Sequence, residues 1–162
     1  MTADRGKVIG VISMVDFYLT HLLVQCRKKF PEYADDLSVI SRRQGARVSR
    51  LRALLSKPGP LAAYASEMEL ALQKFEENKE TRDYLAHGYT IAYTADGTVS
   101  AYLFSMYEWP KQAPNPTAID KLVTPAEFRT LAKDTIAYGK TVYAMIKRIY
   151  DDLALESDAD PK

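Results

Sequence analysis

The hydrophobic period of this chain changes between His87 and Tyr89, and that single change limits the folds open to it. Before it, apolar residues recur three and four apart, the spacing of one helix face. Val8, Val11, Ile12, Val15, Leu19, Leu22 and Leu23 predict a helix over 7–29, closed by Arg27-Lys28-Lys29 and Pro31. Ile40, Val48, Leu51, Leu54 and Leu55 predict a second helix over 37–56, which Lys57-Pro58-Gly59-Pro60 ends. A third runs from about Leu61 to His87, with Glu76-Glu77-Asn78-Lys79-Glu80 marking a kink. Gly88 then stops it.

After Gly88 the pattern is β-prone. Tyr89–Thr94 and Thr98–Trp109 flank Ala95-Asp96-Gly97, and an Asp-Gly turn between two such runs signals a hairpin. Residues 110–123, carrying Pro110, Pro114 and Pro116, read as a loop that covers the domain as a flap. Thr124-Pro125-Ala126-Glu127 combines an N-cap threonine, a proline at the first helical position and a capping-box glutamate. It opens a last helix through Phe128, Leu131, Ile136, Val142, Ile146 and Ile149 to about Leu155. The expected fold is therefore all-α: one bundle of four or five helices over 1–155, with a β-hairpin at about 89–109 inserted before the final helix. Residues 156–162 are expected to form a disordered acidic tail.

Composition narrows the function classes. A net charge of +1 gives no global attraction to polyanions, so any RNA binding must come from a local patch. The lone Cys26 excludes an internal disulfide, sits in an apolar run and points to a reducing, cytoplasmic setting. Asp16, His21 and Gln25 interrupt the apolar stretch Val8–Cys26, so a core helix is expected there and no membrane span. His21 reads as a partnered core histidine. Neither metal-ligand spacing nor a phosphate-binding glycine loop is found, so no metal or cofactor is expected.

The chemistry-bearing segment is Arg82-Asp83-Tyr84-Leu85-Ala86-His87-Gly88-Tyr89. Guanidinium binds phosphate and imidazole moves protons, which together suit phosphodiester cleavage. Five residues turn about 500° on a helix, so Arg82 and His87 point roughly 140° apart. A composite site is easier to build when a second copy faces the first. Asp83 is placed to orient either partner. A satisfied polar network at a helix end is the bland alternative.

A second feature is basic: Arg42, Arg43, Arg47, Arg50, Arg52 and Lys57 lie between 42 and 57 with no acidic residue among them. Arg43, Arg47 and Arg50 share a helical face that suits an RNA backbone, or else pairs with Asp35-Asp36 and Glu76-Glu77-Glu80. The aromatic hairpin residues read as a sheet packed on the bundle, or as a dimer or partner surface.

The arginine, polar residue and histidine at a helix end, in a helical bundle, resemble the HEPN superfamily. The resemblance covers the motif and an architecture of some 130 residues. Many HEPN proteins are metal-independent endoribonucleases of toxin–antitoxin and defence systems, with motifs from two protomers meeting across a dimer cleft. It implies Arg82 as phosphate clamp, Asp83 as orienting residue and His87 as proton-transfer residue, in a homodimer acting on RNA. The 2′-hydroxyl would attack phosphorus to leave a 2′,3′-cyclic phosphate. Aspartate at 83, where the family more often has asparagine, and the hairpin are departures from its pattern. One subgroup, paired with nucleotidyltransferase antitoxins, extends the motif to a tyrosine two residues beyond the histidine, which implies Tyr89 as a modification site, against the plainer reading of Tyr89 as a packing residue that begins the strand. The other reading is a non-catalytic HEPN-like module that binds a nucleotide or docks on a nucleotidyltransferase or other effector.

Overall fold

In a computed structural model that describes residues 2–108 and 115–155, the chain forms four α-helices and a three-stranded antiparallel sheet. The helices are α1 (Thr2–Lys29), α2 (Gln44–Leu55), α3 (Ala65–His87) and α4 (Pro125–Asp152). The strands are β1 (Tyr89–Ala95), β2 (Thr98–Glu108) and β3 (Thr117–Val123), in the order β1-β2-β3. The fold is mixed helix and sheet, which corrects the all-α expectation. Residues 117–123, expected as loop, pair with β2 from Glu108↔Thr117 to Tyr102↔Val123. Their alternation is short, broken by Asp120-Lys121 and preceded by prolines, so only pairing with β2 makes them a strand. Trp109 of the expected second strand, residues 110–114 of the expected flap and the expected tail, 156–162, lie outside the described residues.

Local chemistry explains the other shifted boundaries. Helix α2 begins at Gln44 rather than near Leu37 because side chains hold the preceding turn. Ser38 Oγ donates to Asp35 O at 2.9 Å, and Ser41 Oγ accepts from Arg43 N at 3.1 Å. Such bonds compete with helix formation. A single 3-10 turn, Ala62–Tyr64, leads into α3. That helix continues unbroken through the expected kink.

Two compact units make up the chain. One comprises Met1–Ile12 and Glu77–Tyr138; the other comprises Ser13–Glu76 and Gly139–Lys162. Helices α1, α3 and α4 contribute a stretch to each. The core of the first unit holds Val8, Tyr84, Leu85, Phe104 and Phe128. Phe104 of β2 stacks on Phe128 of α4 at 5.9 Å between ring centroids. The β1–β2 turn is a two-residue loop in which Asp96 (φ 50) and Gly97 (φ 74) take the left-handed conformation of a type I′ turn. Thr124 and Glu127 form the expected capping box: Glu127 N donates to Thr124 Oγ1 at 3.2 Å and Thr124 N to Glu127 Oε2 at 2.8 Å.

The second unit buries Leu19, Leu22, Leu51, Leu54, Leu72 and Ile149. Cys26 is fully buried there, which pushes its thiol up to about 12 and makes it inert. His21 bonds through Nδ1 to Tyr150 Oη at 2.5 Å and through Nε2 to Gln25 Nε2 at 3.2 Å, the partnered state expected of it. Ala3–Lys29 is long and apolar enough to cross a membrane by length and composition alone. Its stripe Val8, Ile12, Val15, Leu19, Leu22 and Leu23 is buried within the protein, and Asp16 on the same helix is ion-paired to Arg47.

Candidate functional site

The end of α3 is fixed by what it buries. Tyr84 and Leu85 are 4% and 2% exposed, so the last turn is anchored on the core of the first unit. Arg5 of α1 caps it: Nε donates to Leu85 O at 2.5 Å and Nη1 to Thr90 Oγ1 at 3.5 Å. A cation on the last carbonyls is favoured by the helix dipole. Gly88 N donates to Tyr84 O at 2.9 Å. The glycine is required by close approach and not by a positive φ. A Cβ at 88 would sit 2.4 Å from Tyr84 O and 3.3 Å from Ser105 O of β2.

These anchors place the motif side chains differently. Arg82 and Asp83 are half-buried and bonded to each other, Arg82 Nη1 to Asp83 Oδ1 at 2.9 Å. His87 is exposed and makes no hydrogen bond or ion pair among the described residues. The helix is regular over 82–87, so the angular separation of about 140° between Arg82 and His87 stands. The structure therefore joins Arg82 to Asp83, leaves His87 apart from both, and opens Tyr89, 71% exposed, at the start of β1.

Behind the motif lies a cavity of about 20 Å³ lined by Thr81, Tyr84, Leu85, Phe104, Lys121 and Phe128, among others. It has room for one water and none for a nucleotide. Lys121 Nζ stands 5.9 Å from the Tyr84 ring centroid. Burial, reinforced by the carboxylates of Glu80, Glu108 and Asp120, raises the Tyr84 phenol above its ordinary 10.0. It stays protonated near neutral pH and does not serve as a base.

The basic residues belong to the second unit, and most of their charge is already used. Arg47 grips Asp16 with both oxygens, Nη2 to Oδ1 at 2.5 Å and to Oδ2 at 2.7 Å. Its Nη1 donates to Arg42 O at 2.7 Å and Ser41 O at 3.1 Å. Arg50 lies 3.7 Å and Lys57 2.6 Å from Asp36. Arg52 bridges Glu69 at 2.9 Å and Glu76 at 2.8 Å, and these bonds raise its pKa and lower that of Glu69. Arg43 precedes α2 as its N-cap residue and is exposed. Like Arg42, it has no ion pair among the described residues.

Sequence reasoning missed Arg5 and Lys121. Neither carries a local signal, because each acts on a residue more than thirty positions away. Among the described residues, no group of three or more His, Cys, Asp or Glu side chains is placed to hold a metal ion. No family model, curated protein or solved structure matches the chain.

Proposed function

We propose that this chain is a HEPN-like, metal-independent endoribonuclease that works as a pair of copies in a toxin–antitoxin or defence setting. One observation carries the reading: His87 stands exposed and unbonded among the described residues, on a helix end that buried Tyr84 and Leu85 and the Arg5 cap anchor. A structural histidine is normally engaged, as His21 is. In the proposed reaction, neutral His87 of one copy takes the proton of the ribose 2′-hydroxyl. The 2′-oxygen attacks phosphorus and the bond to the 5′-oxygen breaks. Protonated His87 of the other copy gives its proton to that leaving oxygen. The products are a 2′,3′-cyclic phosphate and a 5′-hydroxyl. Arg82 turns from Asp83 to hold the phosphate charge.

The expected result is RNase activity in EDTA, with cyclic phosphate ends seen by mass spectrometry. It should fall by at least about a hundredfold in His87→Ala, the usual loss for a general acid or base. Arg82→Ala should abolish it too, with the fold intact by circular dichroism. Normal cleavage by His87→Ala would refute the reading.

A second reading is the non-catalytic module that binds a nucleotide or docks on an effector, and the Arg82–Asp83 ion pair favours its docking form. That carboxylate competes with any phosphate for the clamp. Tight nucleotide or effector binding without turnover would select it.

A further inference from the structure

The two edges of the sheet are built differently. Strand β3 carries Asp120 and Lys121 side by side, a charged guard of the kind that keeps an edge from pairing. Strand β1 has no such guard. All seven of its residues, Tyr89–Ala95, are uncharged, none is proline, and six are exposed. The strand is also regular along its free side. Its register with β2 shifts from Tyr93↔Ala101 to Thr94↔Val99, so the extra residue, Ser100, lies on β2. The neighbouring cation, Arg5, is already bonded to Leu85 O and Thr90 Oγ1.

The order of side chains says what fits this edge. About Ala92 the run Thr90-Ile91-Ala92-Tyr93-Thr94 is nearly palindromic. Paired antiparallel with itself, it sets Ala92 on Ala92, Ile91 against Tyr93 and Thr90 against Thr94. The last two are favourable cross-strand pairs, and no like charges oppose. We propose that β1 pairs with β1 of a second copy about a dyad at Ala92, making one six-stranded antiparallel sheet. Tyr89, Ile91 and Tyr93, 71%, 39% and 47% exposed, then extend one face across both copies.

The proposal goes beyond the cleavage reading and does not depend on it. In this arrangement the two Tyr89 residues are six residues apart along the strands, about 20 Å. The adjoining His87 side chains lie at opposite ends, so a paired cleavage site would need a separate contact.

Charge placed at the dyad tests it. Ala92→Lys and Ala92→Glu each set like charges opposite one another in the pair, yet the side chain is exposed in a single chain. By analytical ultracentrifugation, each variant should show half the mass of the wild-type assembly. An equal mixture of the two should regain that mass. If a variant fails to fold, Ala92→Cys replaces it and should cross-link rapidly under mild oxidation, since Cys26 is buried. Equal masses for wild type and Ala92→Lys, no recovery on mixing, or no cross-link would each overturn the proposal. Cleavage is followed separately with His87→Ala, whose assembly mass should not change.

Discussion

Asp16 and Arg47 show how much of the second unit depends on single side chains. The Arg47 side chain is 11% exposed and gives its Nη donors to Asp16 and to the carbonyls of Ser41 and Arg42, while its buried Nε has no partner among the described residues. It thereby ties α1 to the turn before α2. Asp16→Ala leaves that guanidinium buried without its counter-charge. Losing one partner of a fully buried pair costs about 3–5 kcal/mol. Asp16 keeps a third of its side chain in solvent, so a loss of about 2–3 kcal/mol is expected in urea denaturation. A loss below half a kcal/mol would show that the turn stands without the pair. Ala154 presents the opposite case. It closes α4 with φ 46, a conformation costly for any residue with a Cβ, while Leu155 N donates to Tyr150 O at 2.9 Å. Ala154→Gly should relieve about 1 kcal/mol and raise the melting temperature. At this scale the sequence offered Asp35-Asp36 and Glu76-Glu77-Glu80 as alternative partners of the basic stretch, and Arg50, Lys57 and Arg52 do pair with Asp36 and Glu76. The Arg47 partner, Asp16, was not foreseen because it lies on α1, 31 residues away.

Helix α2 is joined to α3 by Arg52, which holds Glu69 and Glu76 together. Its hydrogen bonds depress Glu69 below its ordinary 4.5. A depressed carboxyl contributes stability above its unfolded value, and that stability is lost as pH falls through the folded value. Melting temperatures taken between about pH 5 and 3 should fall more steeply for wild type than for Arg52→Met. Parallel curves would mean that solvent screens the pair completely, because both side chains are about a third exposed. Elements with strong local signals were readable: the Asp-Gly hairpin, the Thr124 capping box and the long apolar stripes. Strand β3 was not, because its identity comes from β2 rather than from its own period. The start of α2 was hidden for a related reason. Leu37 and Ile40 continue the apolar spacing of a helix, but serine side chains hold that backbone in a turn.

For the molecule as a whole, 22 basic residues nearly balance 21 acidic ones, and of the basic residues between 42 and 57 Arg47, Arg50, Arg52 and Lys57 are ion-paired. Among the arginines singled out for RNA, Arg43 has no ion pair among the described residues, and Arg82 is held only by its neighbour Asp83. With Arg42 added, three of the arginines singled out are left per chain to meet phosphate, six in the proposed pair. A log–log salt dependence of RNA affinity with a slope of about −4 is expected for the pair, at roughly 0.7 per single-strand contact. A slope of about −7 or steeper would mean that Arg47, Arg50, Arg52 and Lys57 leave their carboxylates on binding.

Gly88 gives the first unit a mechanical property. Helix ends usually fray, opening a turn at a time while the rest of the protein stays shut. Here the chain passes from α3 to β1 through Gly88, where even a Cβ would meet carbonyls of both the helix and β2. The last turn of α3 cannot loosen without disturbing the pairing of β1 on β2. Helix end and sheet therefore open as one cooperative unit, and the aim of His87 is as durable as the sheet itself.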